Sequence, residues 1–560
     1  MFDIDWNKVF GSLFYNPDDP LLFNSAFFLF FFAVVLFFFQ FIHRRKLTRV
    51  IVFSLFSLYF FYKCCGWYVG FILAAAVIDF GLSNWIYALK DKAKKTMVLV
   101  FSIVINLGLL CFFKYTDLFI ETWNQVSTGK PVEPLNLVIP VGISFYTFEN
   151  LSYTLDVYRG HFKPVRNFLD YLFFLSFFPK LVMGPIVRAS DFIPQIRQDT
   201  QITREDIGRG LYLILSGLFR KVVISDFLYV NFVQYIFDDP SKHSGVECLF
   251  GVYAYALVIY CDFSGYSDMA IGMARWMGFK IPANFDSPYQ SANITEFWRR
   301  WHISLSSWLR DYLYISLGGN RRGTAGTWII SGLFFGGSLA ACIYLYSSTG
   351  LWWPLLLWGC LLLLFIVPPL FSKEKKGFST SLNLLNTMLL GGLWHGASWN
   401  FMIWGLLHGA ALAVDKLRKS FLPDAKEGAP FKVLGINLNV PGLNISRRAI
   451  GVLITFHFVC FCWIFFKADT LEKAGVMLNQ IFYNFGAETF VPMVEGYASV
   501  FFILWLGFML HFIPKWIEER TQLALARISL FGRLTLIITV LWIVIQVKQA
   551  EQVMPIYLQF

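Results

Sequence analysis

Long apolar stretches separated by short charged loops constrain the fold of this chain more than any other feature. The first stretch runs from Leu21 to Phe41, and comparable runs recur along the whole sequence. A helix needs ~20 apolar residues to cross a bilayer, where it satisfies its own backbone hydrogen bonds. The runs lack the alternation of apolar and polar residues that a barrel strand shows. The sequence therefore predicts an all-α, polytopic membrane protein with about a dozen transmembrane or re-entrant helices.

The composition supports this class and excludes others. Of the 560 residues, 57% are hydrophobic and only 15% are charged, whereas soluble proteins carry about 25% charged residues. A disordered chain, a soluble enzyme and a secreted disulfide scaffold are therefore excluded. The nine cysteines form no paired CxxC pattern. We expect them to be small buried apolar residues, and we predict no metal site.

The net charge of +11 lies mainly in short loops between the apolar runs. Loops rich in Lys and Arg stay in the cytoplasm and so set the orientation in the membrane. We therefore expect that the protein has a lipid bilayer as its partner and that its positive charge does not bind nucleic acid. The basic loop His43–Arg49 places the N-terminus outside the cytoplasm, and Lys515–Arg533 does the same for the C-terminus. Residues 1–560 are predicted to form one integral membrane domain, because Lys416–Arg448 is too short to bury a core.

Polar residues inside the apolar runs mark places where a function is expected, because burying them in a membrane is costly. The run Leu137–Val157 contains Glu149 and is too polar to face lipid, so we predict that it is buried in protein or lines a cavity. A second polar cluster lies in a later run and contains Asp262, Ser264 and Tyr266. A functional role and a structural role as hydrogen-bonded contacts between helices are equally open for this cluster.

The segment Ile294–Leu313 has helical periodicity with two distinct faces. The apolar face consists of Trp298, Trp301, Leu305, Trp308, Leu309 and Tyr312. The opposite face consists of Arg299, Arg300, Ser307, Arg310 and Asp311. This pattern predicts one amphipathic helix at the membrane interface, with tryptophan anchors and with His302 at the edge of the apolar face. A glycine-rich turn follows with Asn320, Arg321 and Arg322, and its cations suit an anionic ligand such as nucleotide phosphates.

A histidine bracketed by glycines lies within the later segment Gly391–Asn400. Glycine lets the backbone break or approach closely, which leaves space beside the His395 imidazole. An imidazole is suited to general-base chemistry near neutral pH, and the alternative is a hydrogen-bonded packing histidine. Its neighbours with functional side chains are Trp394 and Asn400. For His408 and His457 we favour a structural role.

Together these segments resemble the membrane-bound O-acyltransferase (MBOAT) family, and they are most similar to its alginate O-acetylation branch. The resemblance is carried by Pro140–Glu149, Asp156–Gly160, Asp262–Gly272, Ile294–Arg321, Gly391–Gly396 and Tyr557–Phe560. These motifs extend over most of the chain, and the long central one is highly specific.

The resemblance implies a fold in which helices surround a thin central region pierced by a tunnel. It implies an acyltransferase with two marker histidines, of which His395 is the catalytic one and His302 the other. The implied catalytic core comprises residues 137–323 and 383–415, and residues 447–560 add C-terminal helices. Residues 324–371 form an apolar hairpin that the family pattern lacks at this place. We interpret it as a peripheral hairpin or a surface that docks a partner.

For the donor, the resemblance implies cytosolic acetyl-CoA, which is a substrate rather than a permanently bound cofactor. Its phosphates would meet a basic face made of Arg299, Arg300, Arg310, Arg321 and Arg322. Further residues expected along the acyl-donor path or tunnel are Trp298, Asp311, Tyr312, Asn320, Asp262, Ser264, Tyr266, Trp394 and Asn400. His395 would act as general base on an acceptor hydroxyl or carry the acetyl group covalently. His302 or a backbone N–H near the glycines would stabilise the oxyanion.

For the acceptor, the resemblance implies an extracellular or cell-wall polysaccharide, reached through an extracytoplasmic partner transferase. The location it implies is the inner membrane of a bacterium. Two alternatives stay open. One is transfer of D-alanine or another acyl group by the same fold. The other is a glycan or acyl transporter without chemistry, which would need no paired histidines.

Overall fold

The structure is a computed structural model that describes residues 11–17, 19–127, 129–371, 377–421, 432–433, 436–437, 447–548 and 553–556. Within these ranges the regular structure is helical, apart from a two-residue antiparallel pairing of Lys432–Val433 with Ile436–Asn437. The prediction of an all-α fold is confirmed. The motif Tyr557–Phe560 lies outside the described residues.

The chain divides into two compact units. The first comprises residues 1–235, 254–284 and 488–560. Its α-helices are Ala26–Ile42, Lys46–Cys65, Val69–Ala88, Lys92–Val126, Ile143–Arg159, Phe168–Ser176, Phe178–Leu181, Ala189–Ile196, Arg204–Phe219, Phe490–Gly496, Ala498–His511, Lys515–Arg527 and Leu530–Val547. Its shorter turns are the 3₁₀ turn Gly66–Tyr68 and the π-helical turns Arg220–Asp226 and Tyr229–Val233.

The second unit comprises residues 236–253 and 285–487. Its α-helices are Ile294–Arg300, Ile303–Trp308, Ala325–Thr349, Trp353–Phe371, Gly377–His395, Trp399–Phe421, Arg447–Lys467 and Leu471–Tyr483. Its shorter turns are Pro240–Lys242, Pro288–Gln290 and the π-helical turn Leu309–Tyr314. Two helices, Gln234–Asp238 and Gly245–Trp276, contribute residues to both units. That residues 1–560 act as a single domain stays a prediction.

Six helices of the described chain are long and apolar enough to cross a membrane: Lys46–Ala88, Lys92–Val126, Gly245–Trp276, Ala325–Thr349, Arg448–Lys467 and Leu530–Val547. A seventh span is possible if Ala487–Gly496 and Ala498–His511, which meet at a bend of 93°, count together. The protein is therefore a multi-pass membrane protein. Full spans are fewer than the dozen predicted segments, because several apolar runs form short or broken helices. The run from Phe168, for example, divides into Phe168–Ser176 and Phe178–Leu181.

The polar run near Glu149 forms the helix Ile143–Arg159, and its polar side chains are buried, as predicted. Glu149 forms an ion pair with Lys180 and accepts a hydrogen bond from the Val187 backbone N–H. Asn150 Oδ1 accepts a hydrogen bond of 2.8 Å from the Tyr171 hydroxyl. These partners satisfy polar groups that lipid would leave unpaired.

The apolar run that contains His395 forms two helices rather than one. We call helices Gly377–His395 and Trp399–Phe421 the glycine hairpin, since glycines let the two backbones touch. A Cβ at Gly405 would lie 2.4 Å from the Met388 carbonyl oxygen. At the break, a Cβ at Gly396 would lie 1.9 Å from the Phe401 ring, so only glycine fits directly after the histidine.

Candidate active site

His395 is the last residue of the first helix of the glycine hairpin and is only 3% exposed. Aromatic rings surround its imidazole. Ring centres lie at 5.0 Å for Trp394, 4.9 Å for Trp404 and 5.4 Å for Phe466. The backbone break predicted from the glycines is present, and it leaves the histidine at the tip of a hairpin inside the protein.

The predicted amphipathic helix over Ile294–Leu313 is wrong, because the helix breaks at His302. One helix ends at Arg300, and the next begins at Ile303. His302 has a φ of +42°, in the left-handed region that non-glycine residues adopt at a cost of about 1–3 kcal/mol. The surrounding packing must impose this conformation. The predicted interfacial anchors are also wrong, since Trp298, Trp301 and Trp308 are buried in protein.

Both marker histidines lie next to the same tryptophan, Trp394. The ring of Trp394 lies 6.0 Å from that of His302 and 5.0 Å from that of His395. His302 is fully buried in the short broken segment between the spanning helices, and burial lowers its pKa to about 3. Its imidazole is therefore neutral at physiological pH.

One face of the second hairpin helix adds three polar side chains at intervals of four residues: Asn400, Trp404 and His408. This spacing places them on one side of a helix. The Asn400 amide donates a hydrogen bond of 2.6 Å to the Ala468 carbonyl. Trp298 Nε1–H donates to His408 Nδ1 at 3.3 Å, and the Trp404 and His408 rings lie 4.7 Å apart.

The helix Arg447–Lys467 contributes Phe466, already named beside His395, and one further ring, Trp463. The ring centres of Trp463 and Phe466 lie 6.0 and 5.4 Å from that of Trp404. We call the buried group formed by these side chains the aromatic chamber; its members are Trp298, Trp301, Trp394, His395, Trp404, His408, Trp463 and Phe466.

Four residues of the aromatic chamber were not predicted as site residues from the sequence. Trp404, Trp463 and Phe466 have the pattern of ordinary core residues, and for His408 a structural role was favoured. The spacing of Asn400, Trp404 and His408 is the one signal that would have identified a polar helix face. The contacts with Trp463 depend on tertiary packing, which no local pattern reports.

The predicted basic face is only partly available to a ligand. Arg299, Arg310, Arg321 and Arg322 are exposed. Arg310 pairs with Asp311 at 2.7 Å, however, and Arg300 pairs with Glu296 at 2.8 Å. Within the described parts of the chain, no carboxylate oxygen lies within 4.0 Å of the guanidinium groups of Arg299, Arg321 and Arg322. These three carry the exposed positive charge.

The arginine turn is attached to the glycine hairpin. Asn383 Nδ2 donates hydrogen bonds to the Gly319 and Arg322 carbonyls at 3.0 and 3.1 Å. Gly318, with a φ of +107°, directly precedes this turn and allows the backbone to enter it. Asn320 Oδ1 accepts from Tyr314 and Lys416 at 2.8 and 2.9 Å, while Tyr312 is buried against Trp308 at 5.2 Å. The helix that begins beside this turn thus ends at His395.

The cluster around Asp262 belongs to the first unit, and its side chains have partners there. Lys221 Nζ lies 2.6 Å from a carboxylate oxygen of both Asp226 and Asp262. The other oxygen of Asp262 accepts a 2.8 Å hydrogen bond from the Ile556 backbone N–H. All three charged side chains are buried.

Ser264 and Tyr266 are likewise engaged within the first unit. Arg220 donates to Ser264 Oγ at 3.1 Å and pairs with Asp268. Tyr266 stacks on Phe23 with ring centres 4.3 Å apart. These contacts match the structural alternative, and a role of Asp262, Ser264 and Tyr266 along the donor path stays a prediction.

Comparison with known proteins adds the decisive observation. A model of the membrane-bound O-acyltransferase family matches residues 161–344. A probable alginate O-acetylase of Pseudomonas putida is 34% identical, over 77% of this chain and 74% of its own. The chain belongs to the membrane-bound O-acyltransferase family. This confirms the resemblance and the class of fold.

Two further relatives show the range of acyl transfer in the membrane-bound O-acyltransferase family. A peptidoglycan O-acetyltransferase of Helicobacter pylori is 32% identical over 76% of this chain and 72% of its own. A teichoic acid D-alanyltransferase of Bacillus subtilis is 27% identical over 62% of this chain and 73% of its own. As a family member, the protein is an O-acyltransferase that uses an acyl-donor substrate.

Proposed function

We propose that this O-acyltransferase moves an acetyl group from cytosolic acetyl-CoA across the membrane for O-acetylation of an extracellular or cell-wall polysaccharide. The two relatives named for O-acetylation act, by name, on alginate and on peptidoglycan. Both are polysaccharides. Their identity to this chain is higher, and covers more of it, than that of the D-alanyltransferase.

The position of His395 carries the proposal. It is a buried imidazole at a hairpin tip, and its neighbour Trp394 contacts the second marker, His302. The same helix begins beside the exposed Arg321 and Arg322, which Asn383 holds in place. Twelve residues separate Asn383 from His395, which is about 18 Å along a helix. If the phosphates of acetyl-CoA bind at the turn, its extended pantetheine arm would span this distance and bring the thioester to His395.

In the proposed reaction, His395 removes the proton from an acceptor hydroxyl while the oxygen attacks the thioester carbon. The alternative is that His395 itself attacks and carries the acetyl group to the acceptor. Rapid denaturation of the protein with radiolabelled acetyl-CoA in cold detergent at neutral pH separates the two, because only the second route leaves label on the protein and acid would hydrolyse an acetyl-imidazole. His302 lies next to Trp394, with ring centres 6.0 Å apart.

The proposed setting is the bacterial inner membrane, with both termini outside the cytoplasm. An extracytoplasmic partner transferase then passes the acetyl group to the polysaccharide. The inserted helices Ala325–Thr349 and Trp353–Phe371 are candidates for its docking surface. Labelling of a tag at either end of the chain in intact cells tests the orientation.

The test compares His395→Ala with His457→Ala in cells and in vesicles. His457 is exposed and hydrogen-bonded to Tyr253 at 2.9 Å, so it controls for loss of an imidazole. Polysaccharide acetate and acetyl-CoA consumption are measured. We expect His395→Ala to lose activity about 10²–10⁴-fold, with His457→Ala unchanged. Full acetylation by His395→Ala would refute the assignment.

The second candidate is transfer of D-alanine, which the Bacillus subtilis relative supports. Vesicles supplied with acetyl-CoA or with a D-alanyl carrier thioester distinguish the two donors. A transporter without chemistry predicts that His395→Gln leaves transport largely intact.

A further inference from the structure

Three polar atoms of the aromatic chamber are buried and unpartnered. Within the described chain, Trp404 Nε1, Trp463 Nε1 and His408 Nε2 have no hydrogen-bond partner. Their residues are 0%, 1% and 0% exposed. A buried polar group without a partner costs about 1–3 kcal/mol. The three rings are neighbours, with centres 4.7 to 6.5 Å apart. Three unpartnered groups on neighbouring rings indicate an occupant that satisfies them.

All three atoms are hydrogen-bond donors. An indole nitrogen can only donate. His408 Nδ1 accepts from Trp298 Nε1–H, so in the neutral ring the proton sits on Nε2. The occupant must therefore present an acceptor to these three atoms. An ammonium group has none, whereas a carbonyl or carboxylate oxygen accepts.

One of the three donors, Trp404, lies directly beside His395, with ring centres 4.9 Å apart. The other two, Trp463 and His408, lie next to Trp404, at 6.0 and 4.7 Å. The remaining walls are aromatic, from Trp298, Trp301 and Phe466. A small group with one carbonyl oxygen and an apolar remainder matches these walls.

We propose that Trp404, Trp463 and His408 donate hydrogen bonds to the carbonyl oxygen of the acyl group that is transferred. This assignment rests on the proposed function, because it places the acyl carbon beside His395. His302 contacts Trp394, with ring centres 6.0 Å apart, and no ring contact joins it to Trp404, so it is the less direct candidate for this contact among the described residues.

The three donors stabilise charge that develops during transfer. The nucleophile's lone pair forms a bond to the acyl carbon, and the C=O π pair moves onto the oxygen. The N–H groups hold this oxyanion. The pair then returns, the C–S bond breaks, and the coenzyme leaves as a thiolate. When His395 acts as base, the hydroxyl proton passes to it and then to the thiolate.

Binding of two non-reactive analogues to the reconstituted full-length protein tests the carbonyl contact. One is the ketone analogue of acetyl-CoA, in which CH₂ replaces sulfur and the carbonyl stays in place. The other is S-ethyl-CoA, which lacks the oxygen. We expect the wild-type protein to prefer the ketone, and Trp404→Phe or Trp463→Phe each to reduce that preference about fivefold.

Trp276→Phe is the matched control. It also removes an indole Nε1–H, but this group lies outside the aromatic chamber and donates to the Ile207 carbonyl at 3.1 Å. The variant should keep the ketone preference. Retained binding of S-ethyl-CoA shows that each variant is folded. An unchanged ketone preference in both Trp404→Phe and Trp463→Phe, or no preference in the wild type, would overturn the assignment.

Catalysis supplies the second measurement. Loss of one oxyanion donor should reduce acetyl transfer by Trp404→Phe about a hundredfold in kcat, with little change in KM. The proposed function fails independently if His395→Ala remains active. The carbonyl assignment fails if His395→Ala is inactive while Trp404→Phe transfers acetyl at the Trp276→Phe rate.

Discussion

Replacing Gly405 with alanine is a sharp test of how the glycine hairpin holds His395. The added Cβ would lie 2.4 Å from the Met388 carbonyl oxygen and 3.1 Å from the Met388 carbonyl carbon. Both are backbone atoms, so no side-chain rotation relieves the clash. The two helices must separate by about 0.6 Å to reach the 3.0 Å that real Cβ atoms keep.

The expected loss of stability follows from two opposing terms. Overpacking costs about 1–3 kcal/mol, and this rigid contact belongs at the upper end. Alanine recovers about 1 kcal/mol of helix propensity over glycine. The net destabilisation is therefore about 2 kcal/mol. At ~2.1 cal/mol/K per residue, a chain of this size has an entropy of unfolding of about 1.2 kcal/mol/K, so the melting temperature should fall by about 2 °C.

The matched control is Gly336→Ala on helix Ala325–Thr349. Its Cβ would meet nothing within 4 Å, so only the propensity gain remains and the melting temperature should not fall. Thermal unfolding of both purified variants in detergent, together with acetyl transfer, measures the difference. Met388 is seven residues from His395, about 10 Å along the helix, so Gly405→Ala should also lose about tenfold activity. Equal melting temperatures for the two variants would refute the close-contact reasoning.

The other predictions concern charge. The double variant Arg321→Glu, Arg322→Glu should raise KM for acetyl-CoA about tenfold at low salt and leave kcat unchanged. The rise in KM should be smaller at high salt, because salt screens exposed charges. If KM is the same as in the wild type, this turn is not part of the donor site. Lys221→Met should destabilise the protein by about 3–5 kcal/mol and lower its yield in the membrane, because Asp226 and Asp262 would be left buried without their cation. Lys242→Met breaks an exposed ion pair and should leave the yield unchanged. If Lys221→Met and Lys242→Met change the yield equally, the buried pairing of Lys221 is unimportant for stability.

The class of fold and the position of His395 could be predicted because both depend on local sequence. Apolar runs predict helices in a membrane, and the glycines around His395 predict the break that the structure shows. The burial of Glu149 follows from the cost of exposing a carboxylate to lipid. Each inference needs only residues that are close together in the chain.

The conformation of His302 could not be predicted in the same way. The periodicity of Ile294–Leu313 continues through the break, so a local reading favours one helix. His302 has a left-handed backbone, and the neighbouring Trp298 and Trp301 are buried inside the second unit. The contacts of Trp463 with the rest of the chamber join residues far apart in sequence, which a single sequence does not reveal.

The contact between Asp262 and Ile556 has a consequence for biogenesis. Membrane proteins are inserted as they are synthesised, and Asp262 enters the bilayer almost three hundred residues before Ile556 is made. Until then, the carboxylate of Asp262 has Lys221 as its partner but lacks its backbone donor. The first unit can therefore complete its buried charge network only after translation has reached residues 553–556. Chains halted earlier would carry an incompletely neutralised site, which membrane quality control can recognise.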